Sequence, residues 1–411
     1  MFRFVHTADV HLDSPLKSLA LRDPDLAEMV GVATRTAFRR AVDLCLTEQV
    51  DAFIVAGDLY DGSLRSMKTA RYFGEEMRRL TEAGIPAFII RGNHDAESII
   101  TRELTLPEGV HVFKKTDEPV VLKDGAVAVH GVSFEEPHAP NSLLSRYQPG
   151  TPGVIDIGAM HTSLDGSPNH DVYAPCSTTN LAAHGYAYWA LGHIHKRSVT
   201  THDDCTIVMP GIPQGRHMNE DGVKSISLTT ITETGDCTVE EKYVAPVRFE
   251  RQSLDVSQIG DWPELIGLTE DAFNSLRDGP IADQDVIVRL TCTGAGEFAR
   301  KMRHDRERLE EELRSAASRV GRVHLEQVVF DTAVSQVVKD NRVSELSAIV
   351  RGGQIDLAQI ALRIGDDVQQ LIQKLPGELR ARFDPAENEG LIQDLSEEGV
   401  SDLLAQIEGE S

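Results

Sequence analysis

Seven side chains within the first 195 residues have the types and spacings of a metal-dependent hydrolase: Asp9, His11, Asp58, Asn93, His161, His193 and His195. Six of them sit in short motifs, Asp9-Val10-His11, Gly57-Asp58-Leu59-Tyr60-Asp61, Gly92-Asn93-His94-Asp95 and Gly192-His193-Ile194-His195, and His161 stands apart. The donors are carboxylate and amide oxygens and imidazole nitrogens, without a thiolate. Such a set favours manganese, iron or zinc at a hydrolytic centre over an iron–sulfur cluster or a structural zinc. A carboxylate has two oxygens and can bridge two cations, and Asp58 is the candidate bridge. Two metals about 3.5–4 Å apart can activate a water and neutralise phosphoryl charge during an in-line displacement. Singly the motifs say little, since Asp-x-His is common and Gly-Asp after an apolar run is often a turn. Their joint order points to a dinuclear metal site.

Each motif follows an apolar run that reads as a buried strand. The runs are Phe2–Ala8, Ala52–Ala56, Ala87–Arg91, Val154–Met160 and Tyr186–Leu191, with Val127–Val132 as a further strand. Open α/β sheets present ligands at the carboxyl ends of their strands. Glycine ahead of a ligand, as at Gly57, Gly92 and Gly192, allows a sharp turn and a close backbone approach. Side chains alternate along an extended chain, so Asp-x-His and His-x-His are each expected to place two ligands on one side. Helical patterns around Thr34–Glu48 and Ser66–Ala83 separate the strands, which argues for an α/β layered domain. Runs at Thr206–Met209, Ser225–Thr230 and Thr238–Val244 close it.

A boundary is expected near Ala245-Pro246. Beyond it the pattern reads strand (Val247–Leu254), helix (Trp262–Leu276), strand (Asp285–Thr291), helix (Glu297–Val320) and strand (Val323–Phe330). The predicted organisation is therefore residues 1–245, a smaller α/β unit at 246–330, and an acidic helical region at 331–411. In the long helix, Phe298, Met302, Leu309, Leu313, Ala316 and Val320 share one face. Its Arg300, Lys301, Arg303, Arg306 and Arg308 form either a solvated charged face or a nucleic-acid contact. From Asn341 onward, apolar residues such as Leu357, Ile360, Ile364 and Leu371 keep helical spacing.

The chain is 41% hydrophobic, enough for a packed core. No run approaches the ~18 apolar residues of a membrane span, and the first residues lack the marks of a signal peptide. A cytoplasmic protein without a membrane partner is expected. Cys45, Cys176, Cys205, Cys237 and Cys292 are odd in number and form no C-x-x-C pair, so scattered reduced thiols are expected. The net charge of −24 looks unsuited to DNA, whose binding is driven by Lys and Arg. A local field can differ from the net charge, and residues 331–411 alone hold 7 Lys/Arg against 16 Asp/Glu, a net −9. His6, His111, His184 and His324 are expected to be structural or surface residues.

The motifs resemble the calcineurin-like metallophosphoesterase superfamily across roughly residues 1–245. Within it the chain is similar to the SbcD exonucleases and, most of all, to the YhaO-type DNA repair exonucleases. The stretches that carry this are His6-Thr7-Ala8-Asp9-Val10-His11-Leu12-Asp13-Ser14-Pro15, His161-Thr162-Ser163-Leu164-Asp165-Gly166, Tyr188-Trp189-Ala190-Leu191-Gly192-His193-Ile194-His195 and Pro210-Gly211-Ile212-Pro213-Gln214-Gly215-Arg216-His217. The resemblance implies a four-layer β-sandwich flanked by helices, followed by a small capping domain over a DNA cleft. It implies one metal on Asp9, His11, Asp58 and His195, and another on Asp58, Asn93, His161 and His193, manganese being the expected ion. His94 would be an unliganded catalytic histidine held by Asp95. Arg216 and His217 are either phosphate contacts or an ordinary polar turn. Some relatives have a histidine three residues after the bridging aspartate, where this chain has Asp61. The implied function is hydrolysis of DNA phosphodiesters. The implied partners are DNA and, through the C-terminal helices, an SMC-like ATPase of the SbcC type. A homodimer is a further expectation. The competing expectations are a phosphatase or small-molecule phosphodiesterase, and a non-catalytic scaffold.

Overall fold

The computed structural model describes residues 1–14, 24–61, 66–97, 106–136, 139–165 and 173–332. The helices expected from residue 341 onward lie outside the described residues. Among these residues the chain forms two units, one of 1–14, 27–249 and 280–284, the other of 24–26, 250–279 and 285–332.

The first unit is built on two six-stranded mixed sheets. In one, β1 (Phe2–Thr7), β2 (Ala52–Ala56), β3 (Ala87–Ile90) and β4 (Val110–Val112) run parallel. The antiparallel strands β11 (Ile226–Ile231) and β12 (Cys237–Lys242) extend this sheet beyond β1. In the other, β6 (Val127–Gly131), β7 (Ile155–His161), β8 (Tyr188–Gly192) and β10 (Cys205–Met209) are parallel. Antiparallel edges at β5 (Val120–Leu122) and β9 (Ser198–His202) flank them. Helices α1 (Pro24–Glu48) and α2 (Met67–Glu82) connect β1 to β2 and β2 to β3.

Strand alternation explains the layers. Val5, Phe53, Val55 and Ile89 point to Phe38, Val42, Phe73 and Met77 of the two helices. Their neighbours Phe4, Ile54, Ala56, Phe88 and Ile90 point to Val129, Ile157, Ala159 and Tyr188 between the sheets. The far face of the second sheet buries Trp189, Leu191 and Met160 beside Tyr147, Leu181 and Tyr186. Strands covered on both faces read as uninterrupted apolar runs, and each large apolar side chain so buried contributes roughly 1.5–3 kcal/mol. That stiff framework is what fixes the strand ends.

The second unit has a three-stranded sheet in the order β13 (Val247–Asp255), β14 (Asp285–Gly294), β15 (Val323–Thr332). Its core joins Leu265, Phe273, Val288, Leu290, Leu309 and Leu313. Helix α5 (Trp262–Arg277) starts on Asp261, whose side chain accepts Glu264 N at 3.0 Å, while Glu264 accepts Gly260 N at 2.9 Å. This reciprocal pairing satisfies donors that a helix start leaves open. Two short helices, α3 (Asn93–Glu97) and α4 (Thr178–Ala182), belong to the first unit.

Three expectations need correction. The helix expected over Glu297–Val320 is broken at Asp305 into α6 (Glu297–His304) and α7 (Arg306–Val320), because Asp305 leaves helical geometry (φ −101°, ψ 42°). The first helix begins ten residues earlier than its apolar pattern suggested, at Pro24. Strands β4, β5 and β9 had no signal, being short edge strands; β9 is exposed along its whole length, so no alternation marks it. The arginines of the broken helix are engaged with their own unit. Arg303 and Arg306 stack over Phe330 at 5.6 and 5.3 Å, and Arg308 over Trp262 at 4.7 Å. Arg306 also pairs with Glu310. The side chain of Arg300 lies outside the described residues.

Candidate metal centre

All seven candidate ligands converge where parallel strands of the two sheets end: Asp9 and His11 after β1, Asp58 after β2, Asn93 after β3, His161 as the last residue of β7, and His193 and His195 after β8. The expected reason for the Asp-x-His and His-x-His pairs is wrong. The backbone there is not extended. Asp9 (φ 51°), His11 (φ 44°), Asp58 (φ 50°) and His193 (φ 102°) all adopt positive φ, a conformation that costs a non-glycine residue about 1–3 kcal/mol. Backbone hydrogen bonds between the loops hold it: Asp9 N to Gly57 O and His11 N to Asp58 O, both 3.0 Å. His193 N donates to both Asp9 carboxylate oxygens, at 2.9 and 3.1 Å. The three glycines ahead of the ligands are sterically required, Gly57 among them, where a Cβ would lie 2.4 Å from His161 Nδ1. A Cβ on Gly192 would lie 2.0 Å from Ala56 O, and one on Gly92 would lie 2.1 Å from Asp58 Oδ1.

The imidazoles are oriented from behind. His11 Nδ1 bonds Asp61 Oδ1 at 2.8 Å, His195 Nδ1 bonds Glu220 Oε1 at 2.8 Å, and His161 Nδ1 bonds Ala56 O at 3.0 Å. An Nδ1–H donated outward leaves Nε2 as a lone-pair donor facing inward, the arrangement typical of metal-ligating histidines. His11 Nε2 is buried without a hydrogen bond, which costs about 1–3 kcal/mol unless something takes its lone pair. Asp58 Oδ2 lies 3.4 Å from His161 Nε2 and 3.9 Å from His11 Nε2, placed between two imidazoles as a bridging carboxylate would be. Asn93 Oδ1 is 3.1 Å from His161 Nε2. Among the described residues, donor atoms of Asp9, His11 and His195 lie within 4.8 Å of one another, as do those of Asp9, Asp58 and His161. These residues fit two cations. Asp9 reaches both groups, although the resemblance assigned it to one.

The charges of the site shift one another's protonation. Burial alone would raise Asp58, but His161, His11 and His94 outweigh it and hold its carboxyl well below the usual range. Burial likewise opposes charge on His161, yet Asp58 and Asp9 push it up to about 9. Burial raises Asp9, only partly opposed by His161 and His195.

Asp95, which the resemblance set to hold His94, is aimed at backbone amides. Its carboxylate accepts the backbone N–H groups of Leu59, Tyr60 and Gly92 at 3.0–3.1 Å, clamping the Asp58 loop to the Asn93 loop. Burial and the neighbouring Asp58 push that carboxyl up to about 7. His94 instead has Asp61 Oδ1 3.9 Å from its Nδ1, and its side chain is 45% exposed at the mouth of the site. Arg216 lines a groove beside His195 with a side chain that is 13% exposed. It is half-buried and bonded to Glu220 through Nη2 (2.7 Å), Nε (3.2 Å) and its backbone N (2.8 Å), with Nη1 3.7 Å from Asp61 Oδ1. His217 is exposed, beside a groove of ≈ 980 Å³ lined also by His195, Lys196, Arg197 and Lys224. The sequence reading missed Glu220 and the bracing role of Asp61. Glu220 follows Arg216 by four residues, a spacing too common to single it out.

The other histidines fall elsewhere. His6 is buried between Tyr188 Oη and Leu191 O. His184 bonds Gln148 O and His324 pairs with Asp285, while His111 packs on Phe113. The five cysteines are free. Among the described residues no helix is long and apolar enough to cross a membrane.

Residues 2–197 match the family profile described as calcineurin-like phosphoesterase, and residues 249–333 match that of the metallophosphoesterase YhaO middle domain. The metallophosphoesterase YhaO of Bacillus subtilis (strain 168) is 33% identical over 295 residues, covering 71% of each chain. The DNA double-strand break repair protein Mre11 of Sulfurisphaera tokodaii is 28% identical over 218 residues, 50% of this chain and 52% of that one. A dimetal phosphatase from Danio rerio shares 12% identity, with a TM-score of 0.40 over 58% of this chain and 95% of that chain.

Proposed function

Because the chain belongs to the calcineurin-like metallophosphoesterases, in their YhaO-type branch, we propose that it is a manganese-dependent nuclease hydrolysing phosphodiester bonds of DNA. The observation that carries this reading is that the likeness to Mre11, a protein named for DNA double-strand break repair, spans 218 residues of this chain. The groove beside His195 supports it, because Lys196, Arg197, His217 and Lys224 give a locally basic lining to a chain of net charge −24.

The two cations, when bound, supply charge neutralisation at phosphorus and a nucleophilic water at neutral pH. Asp9, His11, Asp58 and His195 would hold one, and Asp58, Asn93, His161 and His193 the other. The chain's own residues do the rest. The hydrogen-bonded loops keep Asp9 and Asp58 in place before substrate arrives, so little reorganisation is left for the reaction. His94, exposed at the mouth, is placed to donate a proton to the leaving oxygen, a role worth roughly 10²–10⁴ in rate. Asp95 holds the Asp58 and Asn93 loops together.

The test is manganese-dependent digestion of end-labelled duplex DNA, run beside bis-p-nitrophenyl phosphate and p-nitrophenyl phosphate. Cleavage of DNA and of the diester is the expected result. Hydrolysis of the monoester alone would refute the nuclease reading and favour a phosphatase, and no hydrolysis of any of the three would favour a scaffold. An SbcC-type ATPase partner is proposed on the resemblance alone. It is tested by co-purification with and without residues 341–411.

A further inference from the structure

The groove beside His195 has two walls, both in the first unit. One is the turn through His195, Lys196 and Arg197 after β8, the other the loop from Pro210 to Ser225 after β10. They touch at Gly211 (φ 74°), where a Cβ would lie 2.8 Å from His195 O and 3.0 Å from Arg197 N. The groove therefore begins at a candidate metal ligand. Its lining carries four cations, Lys196, Arg197, Arg216 and Lys224, against the carboxylates of Glu220 and Asp221. Three of the four are engaged within the protein. Arg216 is bonded to Glu220, Arg197 Nη1 donates to Ser227 Oγ at 2.8 Å with Nε 3.7 Å from Glu241 Oε1, and Lys224 Nζ donates to Asp221 O at 2.6 Å. Lys196 differs. It is exposed, follows His195 directly, and makes no ion pair among the described residues. A lysine ammonium on a flexible stem is a point charge suited to a phosphate.

We propose that this groove is the path of the cleaved strand beyond the metal centre, and that Lys196 holds a phosphate flanking the scissile one, so that a polymeric diester is favoured over a small one. This rests on the nuclease reading above. Bis-p-nitrophenyl phosphate has no second phosphate to offer Lys196, whereas a DNA strand does. Losing one phosphate contact to duplex DNA removes about 0.9 from the slope of log affinity against log salt, which amounts to roughly eightfold at about 0.1 M salt.

The experiment measures kcat/KM of the manganese-loaded full chain on duplex DNA and on bis-p-nitrophenyl phosphate between about 50 and 200 mM salt. Lys196→Gln should lower the ratio of the DNA value to the small-diester value roughly eightfold near 0.1 M salt, and flatten the salt slope on DNA by about 0.9. Lys196→Arg keeps the charge and should keep the ratio. Lys123→Gln is the control. Lys123 pairs with Asp51 just before β2, whereas the ligands follow the other ends of the strands, so ratio and slope should stay as in the wild type. An unchanged ratio in Lys196→Gln would overturn the proposal, as would an equal fall in Lys123→Gln, which would reduce the effect to net charge. A wild type that hydrolyses the small diester but not DNA would overturn the nuclease reading with it.

Discussion

Replacing Gly92 by alanine adds one methyl group and should disable the site. The new Cβ would sit 2.1 Å from Asp58 Oδ1 and 2.8 Å from both Asp58 Cγ and Asp58 N. Ordinary contact begins near 3.4 Å, so carboxylate and methyl must separate by 3.4 − 2.1 = 1.3 Å. Asp58 cannot turn away freely. Its Oδ1 accepts His94 N at 3.0 Å, its Oδ2 faces His161 Nε2 at 3.4 Å, and the residue is 2% exposed. Overpacking costs typically ~1–3 kcal/mol, and the stretched His94 N–H contact adds about 1 kcal/mol. A loss of about 2–4 kcal/mol lowers Tm by roughly 4–16 °C for a unit of this size. A shift of about 1 Å in a ligand costs on the order of 10²-fold in rate. Gly74→Ala in helix α2 is the control, because its Cβ meets nothing within 4 Å and should stabilise by about 0.5–1 kcal/mol. The assays are thermal melts, metal content by elemental analysis and hydrolysis of bis-p-nitrophenyl phosphate. If Gly92→Ala keeps both metals, full turnover and an unchanged Tm, the steric account of this site is wrong.

Asp58→Asn should lose hydrolysis and at least one metal while remaining folded, checked by elemental analysis and circular dichroism; two bound metals with full activity would remove Asp58 from the site. His94→Ala should keep both metals and lose roughly 10²-fold or more in turnover, whereas metal loss in step with rate would make His94 a ligand. Away from the site, His130 is clamped by Asp117 (2.7 Å) and Asp156 (2.9 Å). Burial pulls its pKa down, but those two hydrogen bonds outweigh it and leave it above 6.5. A raised folded value means its stabilisation is complete below pH 6.5 and fades as pH rises through that value. Urea unfolding between pH 6 and 9 should therefore show a loss in the wild type that His130→Gln lacks, and parallel profiles would contradict the clamp.

How much of this was legible in the sequence follows from what each feature depends on. Apolar runs such as Ala52–Ala56 and Ala87–Ile90 mark buried strands, because strands covered on both faces must be apolar throughout. Polar motifs directly after them mark strand ends, so the residues that converge were readable before any coordinates. The mixed oxygen and imidazole donor set likewise determined the class of chemistry. The means of convergence was not readable. Positive φ at Asp9, His11, Asp58 and His193 is imposed by hydrogen bonds between loops far apart in sequence, whereas local spacing suggested an extended chain. The partners of the ligands were hidden for the same reason. Glu220 braces His195, Asp61 braces His11, and Asp95 spans to Leu59 and Tyr60, each pairing created only when the strand ends meet. Arg216 illustrates the division most clearly. Its identity left a phosphate contact and an ordinary polar turn equally open, and only the tertiary structure, by setting it half-buried between Glu220 and Asp61, ties its charge to the partners of His195 and His11.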